Sequence, residues 1–457
     1  MKTSLLKPLF GTALLAALLA APSRPAARAA EPLRWSLSDA IAYGLEHNPD
    51  LAVVRSQIDE REQARAQVFS GFLPDLTLES GYTYIDNVPR IEIDFPLESP
   101  SPLIPSLRIR REVSVGAQDN YRTKIALNQL LFASGRVYYT HQAAKAQIES
   151  VRQQESATRL KTAQRTAEAY NGALIAASVA AVQREALAAA RSHLEHVRHR
   201  YEAGAATRLE LLRAEAEVSN LEPGVTEAEK GIQIALTRLR RAVGLPDQAD
   251  LVLTSPLDAS VEAVDERAEL DQAARMRPEL RAIDHLRSAA EDQALAERGA
   301  MLPNLALTGT FGYEKPYFSI NEWEQNWTVG VGLRMPLFDG LEAYHGMQKA
   351  RAGAETLRRS AAQTLADIET EVRTALLDLE ETAVRIGTTQ ENQERARQIL
   401  AIAEDSYVAG AATSLEVIDA QLAARRARLE HLKALYDRRI ARVRLAAATG
   451  DLDAIGR

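Results

Sequence analysis

Two segments of the chain carry nearly the same eleven residues, YEAGAATRLEL at residues 201–211 and YVAGAATSLEV at residues 407–417. Earlier landmarks also pair, since Leu73-Pro74 is answered by Leu302-Pro303 at a wider separation. Landmarks repeated in the same order predict a tandem duplication, and the change of spacing places one long insertion inside the first copy. The two repeats are predicted to span residues 30–254 and 255–457.

A long stretch without proline precedes each repeated segment, from Gly135 to Gly204 and from Gly340 to Gly410. Both stretches are rich in Ala, Gln, Glu, Arg and Leu, which predicts one uninterrupted helix in each. At 1.5 Å per residue such a helix is about 100 Å long, so it favours a coiled coil over a compact domain. The sequence Gly-Ala-Ala-Thr then forms the tip of a helical hairpin, where the glycine ends the first helix. The return helices are predicted at residues 209–243 and 415–449.

The residue pattern before each long helix is strict alternation, with apolar or aromatic residues on one face and small, polar or charged residues on the other. This pattern predicts four strands of about ten residues, the length and alternation of strands in a transmembrane barrel. An antiparallel sheet half-buried on a soluble core would show the same alternation. The four segments are residues 76–84, 121–128, 305–313 and 327–335.

Closure of the barrel requires more than one chain, because a sheet in lipid cannot leave an open edge and about eight strands are needed to close. Three chains would supply twelve strands, continued by a cylinder of helices. The predicted fold is therefore an α+β membrane protein, a trimeric 12-stranded β-barrel joined to an α-helical coiled-coil barrel. The proline-rich insertion at residues 85–120 is interpreted as a long outer loop.

The segment 1–29 has the features of a cleavable secretory signal, with two lysines, an apolar run and the small-residue pattern Ala27-Arg28-Ala29. A membrane anchor is the alternative, but the apolar run is shorter than a span requires. No later segment is expected to span a membrane as a helix.

The chain has no cysteine, which excludes disulfides, thiolate metal sites and a lipid-acceptor cysteine. Removing the signal takes the formal charge from −7 to −11, which argues against a nucleic-acid partner.

The order of these features resembles the outer-membrane efflux protein family, the TolC-type outer-membrane factors. The resemblance rests on Asn48-Pro49-x-Leu51, Leu73-Pro74, Leu337-Phe338-Asp339-Gly340 and the two tip segments. It implies a homotrimer that spans the outer membrane and extends into the periplasm. It also implies an equatorial collar, drawn from residues 246–264 and the stretch from Asp451, and an entrance that opens when an inner-membrane transporter and a periplasmic adaptor engage.

The resemblance implies a gated exit duct of a tripartite efflux pump or a type I secretion system. A periplasmic coiled-coil structural or adhesion protein is the alternative from another class. No His-Glu-x-x-His motif, phosphate-binding glycine loop or Gly-x-Ser-x-Gly elbow is present, so neither an enzyme nor a cofactor is expected.

The candidate gate lies at the second tip. Glu416 and Asp419 are three residues apart, which places them on one helix face, and they match positions where TolC-type proteins carry entrance carboxylates. A solvated helix face is the alternative. The resemblance also implies a hydrogen bond from Tyr407 to Glu210 that holds the entrance shut. An arginine that some family members carry is Ala412 here, with Arg208 as a possible substitute.

The tips themselves are small and nearly uncharged, which by resemblance suggests a docking site for the hairpin of an adaptor. An ordinary turn between two helices is the alternative. The predicted docking residues are Gly204, Ala205, Ala206, Thr207, Gly410, Ala411, Ala412 and Thr413.

Three histidines, His193, His196 and His199, recur every third residue near the first tip. A metal site normally takes ligands from more than one element, so a solvated or pH-sensitive face is predicted instead, with no metal bound.

Overall fold

The computed structural model describes residues 33–97, 107–247, 249–256, 264–316 and 322–456. The predicted signal, residues 98–106 of the predicted outer loop and part of the predicted collar lie outside the described residues. The helices are α1 (Leu37–His47), α2 (Pro49–Phe69), α3 (Arg136–Glu202), α4 (Arg208–Val243), α5 (Glu266–Met276), α6 (Pro278–Ala300), α7 (Glu342–Val408), α8 (Ser414–Thr449) and α9 (Leu452–Ile455). The strands are β1 (Leu33–Trp35), β2 (Asp75–Tyr84), β3 (Arg90–Leu97), β4 (Leu107–Ser114), β5 (Asp119–Phe132), β6 (Leu251–Leu253), β7 (Asn304–Lys315) and β8 (Glu324–Arg334).

The long helices and their return helices confirm the predicted hairpins. Helices α3 and α7 each have 67 residues, while α4 and α8 each have 36. At one end of the molecule α3 packs against α4 and α8, and α7 packs against α8. At the other end, α3 packs against α2 and α6, and α6 packs against α7. Helices α4 and α2 therefore lie one after the other along α3, and helices α8 and α6 lie one after the other along α7.

One junction lies between α4 and α2, and a second lies between α8 and α6. Each is closed by the side chain of the residue that precedes the first proline of α2 or α6. At the first junction Asn48 Nδ2 donates to the carbonyl oxygen of Ala242 at 2.8 Å, in the last turn of α4. At the second junction Arg277 Nη1 donates to the carbonyl oxygen of Ala447 at 3.2 Å, in the last turn of α8. The last carbonyls of a helix lack partners within it, so the bond to Ala242 satisfies a group that would otherwise need water. The Ala447 carbonyl also accepts from Gly450 N at 3.2 Å.

Two helices precede the strands of each repeat, α1 and α2 in the first and α5 and α6 in the second. Pro49 and Pro278 are the first residues of α2 and α6. Proline fits the first turn of a helix but cannot continue one from the preceding residue, so α1 and α5 end just before them.

The main core lies where α1, α3, α4, α8 and α9 meet. Tyr170 on α3 is fully buried there, and its hydroxyl donates to the carbonyl oxygen of Trp35 at 2.9 Å. Strand β1 pairs in parallel with β6 beside this core, with Leu33 opposite Leu251. The predicted collar segments thus contribute β6 and α9 within the described residues.

The four predicted strands form one antiparallel sheet in the order β2-β5-β7-β8. One face is apolar and exposed across the sheet, as the row Leu78, Ile125, Phe311 and Trp327 illustrates. The next row, on the opposite face, contains Glu79 paired with Lys124 at 3.0 Å. The sheet therefore has one apolar face and one charged face, and β2 and β8 are its edges.

The insertion in the first copy is more ordered than the predicted loop. Strands β3 and β4 pair antiparallel, with Ile91 opposite Val113. Exposed ion pairs join the strands, from Arg90 to Glu112 at 3.7 Å and from Arg110 to Glu92 at 3.8 Å. The part of the insertion that the structure describes is thus a β-hairpin separate from the main sheet.

Helix α3 contains an 18-residue window that is long and apolar enough, by length and composition alone, to cross a membrane. The expectation that no later segment would meet this criterion was wrong. Alanine dominates the middle of this helix, and Ala173, Leu174 and Ala180 are buried. Small apolar side chains let neighbouring helices approach closely, so this composition also suits packing between helices.

Candidate functional site at the hairpin tips

Each hairpin turns on a glycine in the left-handed conformation, Gly204 with φ of 74° and Gly410 with φ of 77°. The residue after each glycine returns a hydrogen bond to the end of the first helix, from Ala205 N to the Arg200 carbonyl at 2.7 Å and from Ala411 N to the Ser406 carbonyl at 2.8 Å. This is the helix-ending motif that glycine favours.

Both return helices begin with a capping box. In α4 the Glu210 carboxylate accepts from Thr207 N at 2.8 Å, while Thr207 Oγ1 accepts from Glu210 N at 3.3 Å. In α8 the Glu416 carboxylate accepts from Thr413 N at 2.6 Å. These hydrogen bonds from Thr413 lower the pKa of Glu416. Two predicted gate residues, Glu210 and Glu416, therefore help to start their helices, a role that the spacing Thr-x-x-Glu indicates in the sequence.

Glu416 and Asp419 lie on the exposed face of α8, as their spacing predicts. The opposite face of the same turns is buried and carries Ser414, Val417 and Ala420. The two carboxylates are thus free to face a neighbouring chain or the solvent.

The predicted hydrogen bond from Tyr407 to Glu210 is not formed, which corrects the expectation taken from the resemblance. The Tyr407 hydroxyl is buried and has no hydrogen-bond partner, and the residue is only 5% exposed. Its pKa is raised, mainly by burial, while the Arg200 charge lowers it and the Glu210 charge raises it. Because the Glu210 carboxylate caps α4, the two side chains influence each other only through charge.

Arg200, which the sequence analysis did not select, joins the two hairpins. Its Nη1 donates to the carbonyl oxygen of Tyr407 at 2.8 Å, and its guanidinium lies 4.7 Å from the centre of the Tyr407 ring. The arginine that contacts Tyr407 is thus Arg200 of α3, a residue far in the sequence from both Ala412 and Tyr407.

His193 makes a second connection between the hairpins. It is 7% exposed, its Nε2 lies 2.8 Å from Ser414 Oγ, and its ring centre lies 5.1 Å from that of Tyr407. Of the two predicted alternatives, a solvated or a pH-sensitive histidine face, the solvated one is therefore wrong for His193, although His196 and His199 are exposed. Burial lowers the pKa of His193, and the charge of His196 lowers it further.

The described residues contain no group of three or more His, Asp or Glu side chains that could hold a metal ion. The pair of His193 and Ser414 does not form a usable nucleophile either, because Ser414 is 1% exposed.

An apolar cluster formed by Val197, Ala214, Tyr407 and Val417 lies beneath these polar contacts. Ala412 at the second tip packs against it. Ala206 and Ala412 are half-buried, while the other predicted docking residues are exposed, namely Gly204, Ala205, Thr207, Gly410, Ala411 and Thr413.

Three ion pairs cross the first hairpin at seven-residue steps. They join Arg184 to Glu229 at 3.0 Å, Arg191 to Glu222 at 2.8 Å and Arg198 to Glu215 at 3.9 Å. Seven residues are close to two helical turns, so the pairs form one line along α3 and α4. The equivalent positions in the second hairpin are Gln390, Arg397, Glu404, Gln421, Arg428 and Leu435, which do not repeat the pattern.

For a channel whose entrance lies at these tips, as the resemblance implies, replacing Arg200 by Ala is expected to raise the resting conductance in a planar bilayer, because it removes the hydrogen bond and the ring contact that hold Tyr407. Replacing Tyr407 by Phe is expected to leave the conductance unchanged, since its hydroxyl bonds nothing and a buried unpaired hydroxyl is costly. Arg208→Ala is the matched control, because Arg208 is exposed at the same tip. A larger conductance in Tyr407→Phe than in Arg200→Ala would contradict this assignment.

Comparison with known proteins assigns the chain to a family. The model of the family described as outer membrane efflux protein matches residues 41–245 and 270–451. The alkaline protease secretion protein AprF of Pseudomonas aeruginosa is 27% identical over 347 residues, covering 73% of this chain and 70% of AprF. The outer membrane efflux protein BepC of Brucella suis is 24% identical over 349 residues, covering 73% of this chain and 74% of BepC.

The crystal structure of CusC has the same fold, with a TM-score of 0.75 and 17% identity, over 91% of this chain and 92% of CusC. The family match covers both hairpins, both pairs of strands and most residues of the main core. The chain therefore belongs to the outer membrane efflux protein family.

Proposed function

We propose that this protein is the outer-membrane exit duct of a tripartite efflux pump or type I secretion system, and that it acts as a homotrimer and a passive, gated channel. The name of one relative, AprF, refers to protease secretion, and the name of another, BepC, refers to efflux. The observation that carries the proposal is the joining of an apolar-faced sheet to two long helical hairpins in one chain. The duct would receive its substrates from an inner-membrane transporter through a periplasmic adaptor.

The sheet supports the trimer. Its edges β2 and β8 are unpaired among the described residues, while its outer face is apolar from Leu76 to Leu333. Exposed apolar area of this kind belongs against lipid, and lipid requires every backbone group to be paired. Three chains joined edge to edge would give twelve strands and close the barrel, with the charged face turned toward water.

Helix α7 supports the same assembly. Leu377, Val384 and Ile402 are exposed, and the intervals between them are close to whole numbers of helical turns, so they form one apolar line along the helix. On the far side of the same layer, α4 exposes Leu212 and Ile234. A neighbouring chain that places its α4 against this α7 would cover both edges and continue the layer into a cylinder.

The remaining assignments follow from this architecture. Residues 1–29 would be removed on export, no lipid anchor would be attached, and residues 30–254 and 255–457 would be tandem repeats. The tips would dock the adaptor, since their small residues are mostly exposed at the end of highly charged helices.

Glu416 and Asp419 would line the entrance of the duct, because a threefold axis brings three copies of each carboxylate together and rings of carboxylates favour cations. Their exposure on one face of α8 supports this role. Gln can still cap a helix in the capping box, so a charge-neutral test need not unfold the tip.

The double variant Glu416→Gln with Asp419→Asn is expected to lose most of the cation preference and block by multivalent cations, since six carboxylates leave the proposed trimer entrance. Single-channel recording in planar bilayers with a salt gradient measures both properties. Glu227→Gln is the control, because Glu227 is an exposed carboxylate on α4 away from the tips. An unchanged reversal potential in the double variant would remove these residues from the gate, while the absence of any channel from a folded preparation would overturn the duct itself.

A further inference from the structure

The contact between the two hairpin tips buries a histidine, His193, whose surroundings favour its uncharged form. His193 on α3 is buried, packs beside Tyr407 of α7, which belongs to the apolar cluster, and contacts Ser414 of α8 through Nε2. Ser414 begins α8 directly after the second tip, so this one side chain contacts both helices of the second hairpin. We refer to His193, Tyr407, Ser414 and Arg200 as the clasp.

The cationic groups near His193 disfavour its protonated form. On its own helix lie His196, whose charge lowers the pKa of His193, and Arg200, whose guanidinium lies on the Tyr407 ring that His193 also contacts. Tyr407 is the ionisable group that α7 presents to it, with a raised pKa and therefore neutral.

The carboxylates of the neighbouring helices do not form an ion pair with a protonated His193. Glu210 of α4 caps its own helix, and Glu416 of α8 is bonded to Thr413. Asp419 of α8, like Glu404 and Asp405 of α7, is exposed. Among the described residues, the structure records Ser414 as the hydrogen-bond partner of His193 and no carboxylate.

We propose that the clasp is acid-sensitive, such that protonation of His193 at mildly acidic pH releases the tip of the second hairpin from the first. The inference rests on the proposed function in one respect, because the consequence for transport depends on these tips forming the entrance of the duct. The release itself is a property of the fold.

The direction follows from linkage. In the clasped state burial lowers the pKa of His193 below its ordinary value of 6.5, while in the released state the ring is hydrated and its pKa returns toward that value. The clasped state thus binds fewer protons, so acid favours release. The stabilisation is fully present above the ordinary histidine pKa and is lost progressively as the pH falls from there toward the lowered value.

The absence of cysteine permits a direct test. The substitutions Glu202→Cys and Val408→Cys, at exposed positions at the ends of α3 and α7, would carry spin labels. Labelled trimers would be diluted with unlabelled chains so that the distance within one chain is measured. We expect the distance between the labels to lengthen and its distribution to broaden between about pH 7.5 and about pH 5.5, on either side of the ordinary histidine pKa.

His193→Gln should abolish this pH response while keeping the short distance, because Gln can bond Ser414 but takes no proton. His196→Gln, an exposed histidine on the same helix, should keep most of the response. Ser414→Ala removes the partner of neutral His193 and should move the release to higher pH, which gives a second variant if His193→Gln does not fold.

Equal distances at the two pH values, or a response that persists in His193→Gln, would overturn the proposal. Bilayer conductance at neutral pH separates this result from a failure of the duct assignment. Normal channels without a pH-dependent distance would refute the clasp alone, whereas a pH-dependent distance without channels would refute the duct alone.

Discussion

Replacing Val329 by Arg is expected to abolish accumulation of the protein in the outer membrane. Val329 lies in the middle of β8, is 68% exposed and belongs to the apolar face of the sheet. An arginine on the lipid face near the middle of a bilayer costs about 2–4 kcal/mol, and three copies in a trimer would cost roughly 6–12 kcal/mol. Fractionation of membranes, followed by electrophoresis of unheated samples, measures both insertion and oligomer formation.

Thr328→Arg is the matched control for this prediction, since the neighbouring residue points to the charged face, where its hydroxyl lies 2.6 Å from that of Thr310. An arginine there would meet water in the proposed barrel, so insertion should be retained and ion selectivity should shift toward anions. If Val329→Arg accumulated in the outer membrane as well as Thr328→Arg does, the apolar face would not contact lipid, and a sheet half-buried on a soluble core would have to be considered again.

Replacing Gly244 by Ala is expected to lower the thermal stability of the protein far more than replacing Gly204 by Ala. Both glycines have positive φ, 79° and 74°, so an alanine costs about 1–2 kcal/mol of backbone strain at either position. At Gly244 a Cβ atom would also lie 2.7 Å from the carbonyl oxygen of His47, whereas at Gly204 nothing lies within 4 Å. Two backbone segments would have to separate, and α1 would shift against the main core.

We expect a Tm decrease at least twice as large for Gly244→Ala as for Gly204→Ala, measured by loss of helical circular dichroism in detergent. The Gly204 variant serves as the control, since it carries the same strain without the close contact. Equal decreases would mean that the junction between α4 and α2 can widen without cost, which would contradict the role assigned to this contact.

The helices and strands could be predicted well because their signals are local. Gly204 followed by Thr207 ends one helix and caps the next, and the same chemistry recurs at Gly410 and Thr413. Alternation along β8 separates the apolar face from the polar face without knowledge of the partner strands. The helix α4 also runs through Pro223, where packing along α3 outweighs a strong local breaker.

The contacts within the site could not be predicted in the same way. Helix α3 has no continuous apolar stripe, because alanines occur on all its sides, so the sequence does not show that His193 is buried while His196 is exposed. Arg200 contacts a residue 207 positions away, for which no local pattern exists. The three-residue strands β1 and β6 are likewise too short to produce a period.

Two errors had different causes. The bond from Tyr407 to Glu210 was transferred from a resemblance, and it failed because Glu210 has a competing local partner in Thr207. That competition was visible in the sequence as Thr-x-x-Glu. The β-hairpin within residues 85–120 was missed because prolines argue against strands, yet the described strands tolerate the proline at position 96 in an isolated ribbon.

The junctions closed by Asn48 and Arg277 have a mechanical consequence. Helices α3 and α7 are continuous from the sheet to the tips, whereas α4 with α2 and α8 with α6 are interrupted at the level of the main core. A force or twist applied at a tip is therefore transmitted to the sheet through α3 or α7, which are unbroken. The neighbouring pairs, α4 with α2 and α8 with α6, are each held together at the junction by a side-chain hydrogen bond. The distance between the sheet and the tips is therefore set by the lengths of α3 and α7.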